Sequence, residues 1–262
     1  MSLFALGAMD KLSIQHINGD SIQQYESALD LLWHQAARMN SNMYILKKIA
    51  EFPFGLFAPP NPTCWALIAD ALYCNIIMIA WRILTDTGED VLTLPKLKNE
   101  MLKKAKSEDS KSFIIDRLRE ANFDERVKST RALIEQVRNE WLAHFQKDVV
   151  LAAHESQRGM PIISANRLIS LSEATNDLIT ALSLDTGRAP IYLEYSGDVI
   201  KPAGTDPRSD IEKLLDLVAQ DSALLRMPEE QKEFWPTYRQ GLSEEALATL
   251  NSYRRKFGLS EA

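Results

Sequence analysis

The chain has 262 residues, of which 45% are hydrophobic and 25% are charged. These proportions are ordinary for a globular protein and exclude a disordered or fibrous chain. The formal net charge of −6 at pH 7 opposes the broad attraction to phosphates on which non-specific nucleic-acid binders depend, so any contact with nucleic acid is expected to be local. The N-terminal residues lack the pattern of a secretory signal peptide, which predicts a cytoplasmic protein.

A long amphipathic helix is the first predicted element. Between Asp20 and Glu51, apolar residues recur at steps of three and four, which is the spacing of one helix face. This face consists of Ile22, Tyr25, Leu29, Leu32, Ala36, Met39, Met43, Leu46 and Ala50. Four prolines and Gly55 between Phe52 and Pro62 predict that a loop with apolar side chains follows.

The second predicted helix, Cys64–Leu84, is almost entirely apolar, so a membrane span has to be considered. Its Asp70 and Arg82 would be unfavourable in lipid, so a helix buried on most sides at the centre of a bundle is predicted instead, with no membrane partner. Cys64 and Cys74 are ten residues apart on this helix, which is too far for a disulfide. Both are expected to be reduced core residues.

Further helices are predicted along the rest of the chain. Leu94, Leu97 and Met101 have helical spacing in a lysine-rich stretch, whose lysines are expected to form a solvated face rather than a surface that guides RNA. After a connector, Ser170 and Glu173 match a capping box that opens a helix ending near Leu184. The other predicted helices are 112–121, 124–144, 209–221, 228–240 and 243–257, and a short strand is predicted at 191–195.

These elements predict an all-α fold. Residues 12–185 are expected to form an antiparallel helical bundle, because the long helices each have one apolar face to bury against neighbours. Prolines and glycines after Thr186 predict turns and shorter elements in the rest of the chain. Residues 186–262 are therefore expected to form a small, mostly helical appendage.

The common catalytic motifs are absent from the sequence, including glycine-rich phosphate loops, paired-cysteine zinc spacings and the nucleophile elbow. The segment that remains is Arg138-Asn139 followed by His144 at the end of the predicted 124–144 helix. An arginine at this distance from a histidine is close to chance expectation. A surface arginine and a histidine at a helix C-terminus explain the spacing equally well.

The geometry of this segment places a condition on any shared site. Six steps of about 100° leave Arg138 and His144 about 120° apart around an ideal helix. Either the helix ends or distorts before His144, or a pocket combines Arg138 of one chain with His144 of another. Glu140 and His144 share a helix face, where Glu140 either tunes the histidine or makes a surface contact.

Two segments resemble the HEPN superfamily, specifically its abortive-infection U-type (AbiU-like) branch. Arg138-Asn139 through Ala143-His144 is similar to the family's signature at the end of a long helix. The run from Ala69 to Ile77 that ends in Trp81-Arg82-Ile83-Leu84-Thr85-Asp86 is similar to the family's buried second helix and its closing turn. The resemblance covers residues 20 to 185.

The resemblance implies a homodimer with a ribonuclease site that needs neither a metal nor a cofactor, formed where two motif helices face each other. His144 is expected to act as general base or acid, Arg138 to hold a phosphate of RNA, and Asn139 to support them. The expected setting is defence or a toxin-antitoxin pair, with a nucleotidyltransferase-type antitoxin as partner.

Two alternatives remain open at this point. A catalytically silent HEPN bundle would serve as a scaffold or as a module that binds a nucleotide or a partner, and the acidic charge and the long spacing favour it. An unrelated helical interaction protein would carry the motif by accident.

Other polar residues have weaker claims to the site. Asp70 either reaches and positions Arg82 or Arg138 or forms the polar edge of an incompletely buried helix. His154 and Arg158 follow the motif and are expected to lie in a solvated loop. His34 is expected to be a core or boundary histidine. The basic cluster at the C-terminal end is expected to be a favourable helix end, and it consists of Arg254, Arg255 and Lys256.

Overall fold

The structure is a computed structural model that describes residues 15–57, 63–85, 88, 90–143, 160–184 and 209–262. Helices account for most of these residues, and the β-type pairing found within them is a single antiparallel bridge between Ile17 and Ala105. The all-α prediction is therefore confirmed. The predicted strand at 191–195 lies outside the described residues, as do His144, His154 and Arg158.

The helices follow in chain order. They are α1 Gly19–Glu51, α2 Phe54–Phe57, α3 Thr63–Leu84, α4 Leu94–Lys103, α5 Glu108–Ala121, α6 Phe123–Val137, a π-helix Arg138–Ala143, α7 Ala165–Leu182, α8 Asp210–Asp221, α9 Ala223–Glu230, α10 Trp235–Gln240 and α11 Glu244–Lys256.

The chain forms two compact units that are not contiguous in sequence. Of the described residues, the first unit takes 15–43, 73–85, 88, 90–143 and 160–184, and the second takes 44–57, 63–72 and 209–262. The boundary predicted at residue 186 lies outside the described residues. The second unit contains the C-terminal helices together with 44–57 and 63–72.

The first unit is an antiparallel bundle held by apolar stripes and by a few buried polar contacts. The Tyr25 hydroxyl donates to the Leu182 carbonyl oxygen at 2.6 Å, and farther along α1 the Ser172 hydroxyl donates to Asn40 Oδ1 at 2.6 Å. Because residue numbers rise along α1 as they fall along α7, these two helices run antiparallel. The polar groups are buried but hydrogen-bonded, so they fix the register without an unsatisfied donor.

Helix α7 begins earlier than the capping box predicted. It starts at Ala165, and Ser170 and Glu173 lie exposed inside it. The prediction was wrong because the buried stripe of α7 already includes Leu168, which lies ahead of Ser170. Burial of that first turn extends the helix beyond the local capping signal.

Helix α3 is buried over only part of its length. Ile76, Ile77 and Ala80 in its C-terminal half are fully buried, whereas Leu67 is 64% exposed. Cys64 is exposed too. The prediction of a helix buried on most sides is thus wrong for the first half, and the prediction of a core cysteine is wrong for Cys64.

Among the described helices, α3 is long and apolar enough to cross a membrane by length and composition, with a mean hydropathy of 1.7 in its most apolar window and 39% of that window buried.

The second unit has its own core, in which residues from the predicted proline-rich loop pack against the C-terminal helices. The loop contains a short helix, α2, which sequence analysis missed. The buried members of this core are Phe52, Phe57, Leu215, Ala219, Leu224, Leu225, Trp235 and Leu250. The helix predicted at 228–240 is two helices, α9 and α10, because the chain turns between Gln231 and Phe234.

Arg254 lies in the last turn of its helix, as expected, and it is fully buried in the second unit. Its Nε donates to the Ser260 carbonyl oxygen at 2.6 Å, its Nη1 donates to the Leu225 carbonyl oxygen, and it pairs with Glu229. A buried guanidinium is tolerated when acceptors surround it in this way. Arg255 lies in the same last turn, as expected for a helix end, and it is exposed.

Candidate functional site

The motif helix changes its winding at the start of the Arg-Asn segment. Residues Phe123–Val137 form regular α6, with Val127, Ile134 and Val137 buried along one face. From Arg138 to Ala143 the chain continues as a π-helix. A π-helix bonds residue i to i+5, and such wide turns are rare and often lie at functional sites. The helix therefore distorts before position 144.

Arg138 is half-buried and held on two sides. Its Cζ lies 3.9 Å from the centroid of the Trp81 ring, which is a cation–π contact. Its Nη1 donates to Asn139 Oδ1 at 2.8 Å. Its Nε is buried and has no hydrogen-bond partner among the described residues. The guanidinium is thus restrained on one face and one edge, and one buried donor is left unpaired.

Trp81 owes its position to the well-packed half of α3. Ala80, Ile83 and Leu84 next to it are buried. The Trp81 carbonyl oxygen accepts from the Thr85 backbone N–H at 2.8 Å and from the Thr85 hydroxyl at 3.0 Å. The contact of Trp81 with Arg138 was not predictable from the sequence, because a contact between two helices that are far apart in the chain leaves no periodic signal.

The other predicted site residues that the structure describes make fewer contacts than Arg138. Glu140 accepts from Gln136 Nε2 at 3.2 Å, one turn earlier on the same helix. Asp70 and Arg82 are exposed, which agrees with Asp70 as the polar edge of an incompletely buried helix. A pairing of Glu140 with His144 stays a prediction, because His144 lies outside the described residues.

Tyr73 attaches the segment before α7 to the same half of α3. Its hydroxyl donates to the Pro161 carbonyl oxygen at 3.3 Å and accepts from the Ile163 N–H at 2.8 Å. Burial raises the pKa of Tyr73, although the hydrogen bond from Ile163 opposes this. The phenol therefore stays protonated at neutral pH and keeps its donor.

A helical bundle whose long motif helix leads into an Arg-Asn pair at a widened turn defines the class as an all-α domain of the HEPN type. The family model described as AbiU2, a HEPN family, matches residues 22–201. This match covers more than half of the chain, and the chain belongs to the AbiU2 family of HEPN domains. Comparison with curated proteins and with solved structures gave no match.

Proposed function

We propose that this HEPN domain is an endoribonuclease that uses Arg138, Asn139 and His144 and requires no metal ion. The observation that carries the proposal is the restrained guanidinium of Arg138 at the first residue of the π-helix. The family match supports it, because it covers the whole motif. A cation held in place before substrate arrives stabilises developing phosphate charge without reorganising during the reaction.

The proposed chemistry is an internal transfer within RNA. His144 removes the proton of a ribose 2′-hydroxyl, and the 2′-oxygen forms a bond to the adjacent phosphorus. The bond from phosphorus to the 5′-oxygen breaks, and this leaving oxygen takes a proton from a histidine. Arg138 offsets the charge on the phosphate oxygens, and Asn139 supports Arg138 through their hydrogen bond.

The proposed assembly is a cytoplasmic homodimer in which two motif helices face each other. A two-fold pairing brings two copies of the Arg-Asn-His set into one cleft. We place this nuclease in a defence or toxin-antitoxin setting, with a nucleotidyltransferase-type protein as its antitoxin. RNA binding at such a cleft is local, which is compatible with the net charge of −6.

The test is cleavage of mixed RNA by purified protein in EDTA. Arg138→Ala and His144→Ala are compared with the parent and with Arg131→Ala, a matched arginine seven positions earlier on the same helix. We expect cleavage by the parent and by Arg131→Ala, and its loss in the other two. If the parent does not cleave RNA, or if cleavage persists in both motif variants, the proposed mechanism is wrong.

A second candidate is a catalytically silent module that binds RNA or a partner. It is favoured by the engagement of Arg138 within its own chain, where Trp81 and Asn139 already occupy its face and one edge. The same variants distinguish it from the nuclease. A silent RNA-binding module retains RNA without shortening it, and Arg138→Ala weakens that retention.

A further inference from the structure

We infer that Trp81 is the positioning residue for Arg138, so that an aromatic ring on α3 sets the orientation of the cation on the motif helix. The catalytic consequence of this inference rests on the proposed ribonuclease function. The contact itself does not, because it is present in the chain irrespective of any reaction. The two can therefore be tested separately.

The Trp81 side chain is carried by a well-packed segment of α3. Trp81 lies on the half of α3 whose neighbouring residues Ala80, Ile83 and Leu84 are buried. Its backbone carbonyl accepts two hydrogen bonds from Thr85. A half-buried tryptophan on such a segment has few alternative positions for its ring, because close packing excludes most rotamers.

Within the part of the chain that the structure describes, little else holds the guanidinium of Arg138. Asn139 Oδ1 accepts one hydrogen bond from Arg138 Nη1 at 2.8 Å, but Asn139 is the next residue in the chain and not part of another helix. Nε is buried without an acceptor among the described residues, and an unpaired buried donor destabilises the arrangement. The attraction of the cation to the indole face offsets part of that penalty. Without the ring, Arg138 would turn its Nε towards water.

The planar shape of the Arg138 guanidinium matters for its orientation. A guanidinium is planar and stacks flat on an aromatic face, whereas the ammonium of lysine has no plane to orient. The Arg138 Cζ lies over the Trp81 ring, 3.9 Å from its centroid, and a guanidinium that stacks there has its remaining N–H groups held in one plane. The N–H donors of Arg138 would then already point at the phosphate oxygen when RNA binds, and such preorganised donors are the condition for electrostatic catalysis.

The spectroscopic test uses protein labelled with ¹⁵N-arginine. The Nε–H resonance of Arg138, assigned by its loss in Arg138→Lys, is expected to be shifted upfield by the indole ring and to exchange slowly with water. Trp81→Leu is expected to abolish the upfield shift and to speed exchange, while Trp81→Phe keeps most of both. The matched control is Trp65→Leu, a tryptophan on the other half of α3 that contacts Phe54.

The kinetic test compares kcat for RNA cleavage in the same variants. Trp81→Leu is expected to lower kcat about tenfold, which corresponds to a loss of about 1.4 kcal/mol of transition-state stabilisation. Trp81→Phe is expected to stay near the parent, and Trp65→Leu to match it. Arg138→Lys is expected to lose as much activity as Trp81→Leu or more.

The outcomes separate the two claims. An Nε resonance that does not move in Trp81→Leu overturns the inference, whatever the cleavage activity. A resonance that moves while kcat stays unchanged also overturns it, because Trp81 would then be a packing residue only. If the parent does not cleave RNA, the proposed function fails, and a moved resonance still supports the contact. Should Trp81→Leu not fold, Trp81→Met, which keeps a long apolar side chain without a ring, gives the same readout, and an unchanged resonance there overturns the inference.

Discussion

Arg254, which is buried, and Arg138, which is half-buried, are held in different ways. The difference separates a structural role from a chemical one. Arg254 is fully buried and has Glu229 and two backbone carbonyls as acceptors. Arg138 has one amide oxygen and an aromatic face, and its Nε lacks an acceptor among the described residues. A saturated guanidinium stabilises the fold, whereas an undersatisfied one retains capacity for an incoming anion.

Replacement of Arg254 is expected to destabilise the second unit. In Arg254→Ala the carbonyl oxygens of Leu225 and Ser260 and the carboxylate of Glu229 lose their donor. We expect the free energy of unfolding to fall by about 2 to 3 kcal/mol, measured by urea denaturation, because the fully buried guanidinium is lost and two carbonyl oxygens are left without their donor. The carboxylate of Glu229 contributes less, since it is 45% exposed and can be solvated. Arg255→Ala is the control, and its exposed pair with Glu261 predicts a change below about 0.5 kcal/mol. Equal losses in both variants would contradict this assignment.

Glu212 gives the second unit a pH-dependent stability. Burial by itself raises the pKa of Glu212, but the ammonium of Lys48 at 2.9 Å and the N–H and hydroxyl of Ser209 outweigh it and lower the pKa from 4.5 to about 2. The hydrogen bond between Lys48 and Glu212 also raises the pKa of Lys48. Because folding lowers the carboxyl pKa, its contribution is complete above a pH of about 4.5 and disappears as the pH falls through about 2.

The substitution Glu212→Gln tests this linkage. At pH 7 we expect the free energy of unfolding to fall by about 1 to 2 kcal/mol, after allowing for partial solvent screening. The difference from the parent should shrink steadily from pH 4.5 towards pH 2. Glu51→Gln is a control on α1, since its pair with Lys47 is 4.0 Å long and exposed. A difference that stays constant over this pH range would refute the linkage.

Single residues show where sequence analysis reaches its limit. The C-terminal arginines look alike in sequence, and only the fold brings Leu225, Glu229 and Ser260 around Arg254. His34 was expected in the core or at its boundary and is exposed, because helical phase decides burial more finely than apolar neighbours do. The motif residues themselves were found from the sequence, and their roles stay predictions.

At the scale of elements, periodicity predicted the long helices closely. Helix α1 was predicted from Asp20 to Glu51 and runs from Gly19 to Glu51, because most of its predicted apolar stripe is buried. The stripe differs at its end, where Ala50 is exposed and Ile49 is buried. Shorter signals were less decisive, as Ser170 and Glu173 show inside α7. The π-helix was not specified by the sequence, because the angular mismatch between Arg138 and His144 left open either a distorted helix or a pocket shared by two chains. Backbone winding of this kind depends on packing that a sequence pattern does not contain.

Shortening the π-helix tests whether its extra width matters. Deletion of Leu142, a half-buried residue, is expected to restore regular α-helical winding, because a wide turn contains one more residue than an α-turn. The thermal midpoint of unfolding should stay near that of the parent, while RNA cleavage is lost. The control is Leu142→Ala, which keeps the length of the segment and is expected to cleave. Activity in the deletion variant would show that the wide turn has no catalytic role.

At the scale of the whole molecule, the fold class and the family were within reach of the sequence. The Arg-Asn to Ala-His segment and the apolar run from Ala69 that ends at Asp86 carried the HEPN resemblance, and the AbiU2 match over residues 22–201 confirms it. A C-terminal appendage was expected, but the inclusion of residues 44–57 and 63–72 in the second unit was not, because its core joins Phe52 and Phe57 to helices more than a hundred residues away. Pairings at such separation have no local signature.

Mixed dimers test how the proposed site is assembled. Co-expression of differently tagged Arg138→Ala and His144→Ala chains gives a heterodimer with one intact arginine and one intact histidine. If the site combines residues of two chains, one of its two pockets is complete, and about half of the parental RNA cleavage should return. Each variant alone should stay inactive. Persistent inactivity of the mixed dimer would mean that Arg138 and His144 work within one chain.

The stacking of Arg138 on Trp81 has a consequence for how these sequences diverge. Two positions that share one contact are not free to change independently, and such pairs tend to covary. Members of the AbiU2 family that keep arginine at the position of Arg138 are expected to keep an aromatic residue at the position of Trp81. Members that have lost the arginine are released from this constraint. Non-aromatic residues at the position of Trp81 should therefore occur mainly in lineages that have lost the arginine.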